Sequence, residues 1–134
     1  MRPGRLVPVD AAERLIVVDA ANVVGSRPDG WWRDRAGAAR RLLAQLSVLR
    51  DLLPEMTEVA VVLEGAAKPA ADIEHDGLRV VLADRSGDDA IVELVAAARV
   101  PDITVVTADR ELRSRVQALG ATTVGPTWLW DFFR

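Results

Sequence analysis

The chain has 134 residues, half of them apolar and 28% charged, with no cysteine, one histidine and a net charge of -3. That length allows one domain with a core of its own; the missing cysteines exclude disulfides and thiolate metal sites, and a lone His75 argues against zinc. Any metal must then be held by oxygen, which selects Mg²⁺ or Mn²⁺, and the weak negative charge gives no global field for nucleic acid, so a basic patch has to be local.

Residues 1–12 carry Arg2 and Arg5 but no apolar stretch of the kind that opens a signal peptide, and they are expected to form a flexible arm. No apolar run approaches the ~20 residues that span a bilayer, so a cytoplasmic protein without membrane contact is expected. A first strand is predicted over Arg14 to Val18, nearly all apolar, as for a strand covered on both faces. A turn-rich stretch, Gly25 to Gly30, follows and leads into Trp31-Trp32. From Asp34 to Leu53, apolar residues recur at three- and four-residue spacing until Pro54 stops them, which predicts a helix. Strand two, Glu58 to Leu63, ends on Glu64-Gly65, and Ala66 to Asp76 reads as a loop with room for a helical turn. Strand three spans Leu78 to Leu82. Ser86-Gly87-Asp88-Asp89 then opens a helix running to about Arg99, which Pro101 ends. Strand four, Ile103 to Val106, passes through Thr107-Ala108-Asp109 into a helix to Leu119, closed by Gly120. A short edge strand, Ala121 to Val124, and a short aromatic helix in the tail complete the chain. Strands alternating with helices predict a single α/β domain: a three-layer α/β/α sandwich around a mostly parallel sheet of about five strands.

The informative feature is where the acids fall. Strand one runs into Asp19 with Asn22 close behind, strand two into Glu64, and strand four into Asp109, while Asp88 and Asp89 open a helix. Parallel strands share one carboxyl edge, which is where open α/β sheets place ligands. Each acid taken singly is acceptable as a helix cap or a dipole partner. Helix capping does not explain why all of them gather on one edge, whereas a divalent cation between mutually repelling carboxylates does. Of the adjacent pair, Asp88 is the preferred ligand, and one of the two is expected to cap.

Other motifs fail on missing residues. There is no G-x-x-x-x-G-K-[ST], so Asp19 is not the partner of a P-loop. Ala21 occupies the second position that an Asp-x-Asp phosphatase needs, and no G-x-S-x-G elbow occurs. His75 sits in a polar loop and reads as a solvated residue.

Together Asp19-Ala20-Ala21-Asn22-Val23, Val61-Val62-Leu63-Glu64-Gly65, Ser86-Gly87-Asp88-Asp89-Ala90 and Val105-Val106-Thr107-Ala108-Asp109-Arg110 resemble the acidic motifs of PIN-like nucleases, above all the NYN branch with its YacP-like proteins. The resemblance spans roughly Leu15 to Val124. It implies a PIN-like, Rossmann-like sandwich and a Mg²⁺- or Mn²⁺-dependent nuclease, usually an endoribonuclease. Asp19, Asp88 and Asp109 match the core metal-binding acids, with Glu64 and Asp89 as supporting ligands and Asn22 as the polar residue after the first acid. Glu64 departs from the Asp often found there. Thr107 matches the Ser or Thr before the last acid and is placed with the residues that contact nucleic acid.

The expected reaction is phosphodiester hydrolysis by in-line attack of water, leaving a 5′-phosphate and a 3′-hydroxyl, with no side chain that is an obvious dedicated base. The loop after Asn22 is expected to hold RNA: Arg27, Arg33 and Arg35 on phosphates, Trp31 and Trp32 stacking on unpaired bases, and Arg85 and Arg110 flanking the acids. Two other classes stay open, a metal-dependent phosphohydrolase of nucleotides or other small phosphates and a catalytically weak RNA-binding module. A homodimer through the tail aromatics and an antitoxin or other protein partner are left open too.

Overall fold

The structure is a computed structural model that describes residues 12–133. The arm expected over residues 1–12 therefore lies outside the described residues, except for Ala12, which is buried.

Strands β1 (Arg14–Asp19), β2 (Thr57–Leu63), β3 (Leu78–Leu82), β4 (Asp102–Val106) and β5 (Thr122–Val124) form one sheet in the order β3-β2-β1-β4-β5. All four pairings are parallel, so the sheet is wholly rather than mostly parallel. Parallel neighbours cannot be joined by a tight turn. Helices make the crossovers, and they cover both faces.

Alternation along the strands divides the core into two layers. Ile16, Val18, Val59, Val61 and Leu63 pack towards α1 (Ala20–Gly25), α2 (Arg35–Leu52) and α5 (Pro126–Trp130). Leu15, Val17, Ala60, Val62 and Val105 pack towards α3 (Gly87–Ala97) and α4 (Arg110–Gln117). Helix α2 begins where Asp34 accepts the Gly37 N–H at 2.8 Å and stops before Pro54. Its Leu42, Leu43, Leu46 and Leu49 are fully buried, each such side chain contributing roughly 1.5–3 kcal/mol.

Three local features differ from the sequence reading. A short helix, Ala20–Gly25, absent from the sequence reading, precedes the turn-rich stretch, with Asp19 serving both as the last strand residue and as its N-cap. The expected loop after Glu64 is an eight-residue 3-10 segment, Gly65–Asp72. Helix α3 is capped by Ser86, which accepts the Asp89 N–H at 3.1 Å, so neither Asp88 nor Asp89 caps it. In the tail, α5 and a 3-10 turn bring Trp128, Trp130 and Phe133 onto the α2 side of the core as a lid. No helix among the described residues is long and apolar enough to cross a membrane.

Candidate active site

The sheet order places β1 at the centre. From it the chain proceeds outward through β2 and β3, then returns to β4 on the other side. Between β1 and β4 the following helices diverge to opposite faces, and this switch point opens a crevice at the carboxyl edge. Asp19 ends β1 there, and Thr107 to Asp109 follow β4. Alternation sets the direction of the side chains: Asp19 continues the row of Leu15 and Val17, Glu64 the row of Ala60 and Val62, and Thr107 the row after Val105. All three thus fall on the side of α3, whose first turn carries Asp88.

Short polar ties hold this edge. Asp19 is only 5% exposed. Its Oδ2 accepts the Thr107 hydroxyl at 2.9 Å, and its Oδ1 accepts the Asn22 N–H at 3.4 Å. The Thr107 oxygen in turn accepts the Asp109 N–H at 3.1 Å, while Asn22 Oδ1 accepts the Ala108 N–H at 2.8 Å. Arg113 closes the turn by donating Nε–H to the Thr107 carbonyl at 2.8 Å. Asp109 uses Oδ1 to cap α4 through Leu112, at 3.0 Å. Glu64 accepts the Gly87 N–H on Oε2 at 2.7 Å. The approach is so close that a Cβ at Gly87 would stand 3.2 Å from the Glu64 carboxylate. Gly65 leaves β2 with φ of 56°, a left-handed turn that favours glycine after the acid.

The acids sense one another. Burial pushes the Asp19 carboxyl from 3.8 up to about 6, against the hydrogen bonds from Thr107 and Asn22 and with added repulsion from Asp88 and Glu64. Asp88 is also raised, first by burial and then by the charges of Asp109 and Glu64, with Arg115 pulling the other way. The Asp88 carboxylate has no hydrogen-bond partner among the described residues. Among those residues, no group of three or more His, Cys, Asp or Glu side chains is arranged to hold a metal ion as it stands. The four acids form a repelling oxygen-only neighbourhood rather than a closed cage.

The remaining sequence-derived residues separate into those at this edge and those turned elsewhere. Asp89, expected to support the metal, points away: its exposed carboxylate pairs with Arg115 across α3 and α4 at 3.0 Å. Thr107, expected to contact nucleic acid, is completely buried and serves to orient Asp19 and the turn to Asp109. Arg27 does not extend towards the acids. It lies over the Trp130 ring, 3.9 Å from the centroid, in a separate cavity shared with Asp29 and Arg41, and Trp130 is itself fixed by donating to Ser26 at 2.9 Å.

Trp31, Arg35 and Arg85, by contrast, meet beside Glu64 around a cleft of about 340 Å³, floored by Ala20, Ala21, Ala66 and Ala67. Arg35 sits 5.3 Å from the Trp31 ring centroid, and Trp32 meets Trp31 edge-on at 5.9 Å. Trp32 is 52% exposed with Arg33 beside it. Arg110 is exposed on the first turn of α4, next to Asp109. Sequence reasoning missed Ser86, Gly87 and Arg113. The Ser-Gly pair before the acids was a readable signal for the first two, whereas Arg113 gave none.

A wholly parallel α/β/α sandwich with acids gathered at its switch point is the architecture that the motif resemblance implied. In its architecture the chain is similar to the crystal structure of a point mutant of Rae1 (YacP) from Bacillus subtilis, with a TM-score of 0.72 and 20% sequence identity over 88% of this chain and 73% of that one. The resemblance to YacP-like proteins noted in the motifs is thus matched in the fold. No protein-family model matches the chain, and no curated protein matches it significantly.

Proposed function

We propose that the chain is a Mg²⁺- or Mn²⁺-dependent endoribonuclease. One observation carries the reading: Asp19, Glu64, Asp88 and Asp109 share a single electrostatic neighbourhood at the strand ends, with Asp19 buried in it. Keeping carboxylates this close costs stability, and a positive ion among them removes the cost. The donors fit a hard cation. Mg²⁺ retains several waters and is bound by carboxylates together with substrate phosphates, so an open set of acids rather than a closed cage suits it. Asp19, Asp88 and Asp109 would hold the ion, with Glu64 acting directly or through water. When bound, such an ion supplies Lewis acidity at the phosphoryl group and acidifies water.

The chain's own groups do the rest. Thr107 and the Gly87 N–H fix one oxygen each of Asp19 and Glu64, so these carboxylates need no reorganisation when charge arrives. Asp109 keeps Oδ2 available after capping α4 with Oδ1. Arg35, Arg85 and Arg110 stand within the same edge to bind phosphates, for which the guanidinium fork is well shaped. The fold likeness to Rae1 (YacP) agrees with the YacP-like motif resemblance, and that resemblance favours a nuclease acting on RNA.

The test is cutting of a single-stranded RNA with Mn²⁺ and Mg²⁺, with and without excess chelator, by the native chain and by Asp19→Asn and Asp88→Asn. Internal cleavage that stops in chelator and in both variants is expected. Retained cutting in both variants would sink the metal assignment, and phosphate release from nucleotides with RNA left intact would replace the nuclease by a small-substrate phosphohydrolase.

A further inference from the structure

Beyond the groups that address phosphate and metal, the cleft beside Glu64 brings an aromatic face and a floor of small residues together with two cationic side chains next to the acids. We propose that it is a subsite for one unpaired nucleobase, adjacent to the phosphate that the acids address, so that cutting is confined to nucleotides whose base can leave the helix stack. This rests on the nuclease reading for its position and names the substrate feature that the same edge selects.

Its dimensions suit a small planar ligand: about 340 Å³ lies at the low end of ligand clefts, which run from about 300 to 1,000 Å³. The Trp31 indole forms one wall and is held in place on two sides. Trp32 meets it edge-on, and on another side the ring packs beside Gly25, in van der Waals range of where a Cβ would stand. A pre-oriented ring loses little freedom when a base stacks on it. Opposite, Ala66 and Ala67 at the start of the 3-10 segment leave the width that larger residues would fill. Arg35 near the ring and Arg85 at the rim supply positive charge for the phosphates on either side of the base. Neither makes an ion pair among the described residues, so both are available to an anion. A lipid chain or an apolar peptide would leave these guanidiniums unmatched, and a paired base offers no free face to the ring. Glu64 belongs to both places, lining the cleft while sitting among the acids, so a base in the cleft puts its neighbouring phosphate at the cluster.

The test uses a labelled RNA strand, the same strand in a perfect duplex, and a strand with one abasic nucleotide at a fixed position, with the full chain and three variants. With the native chain and Mn²⁺, the single strand is cut and the duplex is not. The abasic residue suppresses cutting at one adjacent phosphate by about tenfold or more and leaves distant bonds unaffected, as the loss of one stacked base predicts. Trp31→Ala raises KM by about tenfold with kcat nearly unchanged and no longer distinguishes the abasic strand, while Trp31→Phe restores both properties. Ala66→Leu, which fills the cleft without emptying the core, reproduces the loss in a variant whose fold is undisturbed. Equal cutting beside abasic and intact nucleotides by the native chain would overturn the subsite.

Equilibrium binding of the same RNAs in chelator separates this proposal from the nuclease reading. Tight single-strand binding that falls about tenfold in Trp31→Ala and Ala66→Leu keeps the subsite even where nothing is cut. Binding that is indifferent to both variants removes the subsite even where cutting is intact.

Discussion

Replacing Asp19 by Asn should abolish activity and at the same time make the metal-free protein more stable at neutral pH. Burial raises the Asp19 carboxyl from 3.8 in the unfolded chain to about 6 in the native one. The native state therefore holds a proton that the unfolded chain has released, and stability falls as pH rises from about 4 to above 6. A difference of about two units, at about 1.4 kcal/mol each, corresponds to about 3 kcal/mol of stability missing at neutral pH. Asn has no charge to desolvate and recovers that amount. It also places an amide where Thr107 now donates to Oδ2, a change that sacrifices one hydrogen bond worth about 1 kcal/mol. The net gain is about 2 kcal/mol near pH 7.5, or roughly 8 °C in Tm for a domain of this size. Near pH 4, where native Asp19 is protonated, the gain vanishes and the lost hydrogen bond leaves the variant about 1 kcal/mol weaker. Urea unfolding of both proteins across this pH range, in chelator, measures the difference directly. A variant that is no more stable near pH 7.5, or a difference that does not change with pH, would refute the reasoning. Added Mn²⁺ should raise the native midpoint and leave the variant unmoved, because only a folded chain with the intact site gains from binding.

Three further outcomes follow from the same geometry. Asp88→Asn should stop cutting while leaving the urea midpoint within about 0.5 kcal/mol, since its carboxylate holds no hydrogen bond, whereas Asp89→Asn should lose only the exposed pair with Arg115 and keep activity. Thr107→Val, nearly isosteric, strands the half-buried Asp109 N–H and removes the donor to Asp19; it should cost about 1–3 kcal/mol in urea unfolding and move the acid limb of the pH–rate profile upward, because the hydrogen bond that lowers the Asp19 pKa is gone. Gly87→Ala should reduce kcat more than stability, since its Cβ displaces the Glu64 carboxylate by a few tenths of an ångström; unchanged kcat would show that the position of Glu64 does not matter.

Most of the sheet was legible because each strand is a short apolar run bounded by a turn or an acid, and β3 spans Leu78–Leu82 as read. Helix α2 was legible because its periodicity extends over many turns between Asp34 and Pro54. Helix α1 was not, since six residues show less than two turns of any period and its cap is the last residue of a strand. Strand ends marked Asp19, Glu64 and Asp109 as candidates by position, and the fold brings the three to one edge. What the sequence could not tell is which partner each side chain would find. Asp88 and Asp89 face directions about 100° apart on one helical turn, and what turns Asp89 aside is Arg115, on another helix. Arg27 follows Asn22 closely in the chain, yet is drawn to Trp130 in the tail. Thr107 reads as a contact residue until its hydroxyl is seen to reach across to Asp19.

The two hydrogen bonds that join Asp19 to Thr107 and Asn22 to Ala108 connect residues 88 and 86 positions apart. They have a consequence for the chain while it is being made. Before β4 emerges from the ribosome, Asp19 has neither its hydroxyl donor nor its neighbour Asp109, and Asn22 has nothing to hold. A nascent chain that displays only β1, β2 and β3 therefore has an unfinished acidic edge. The acidic edge is completed by the closing of the sheet itself: β4 must dock on β1 before Asp19 and Asn22 find these partners.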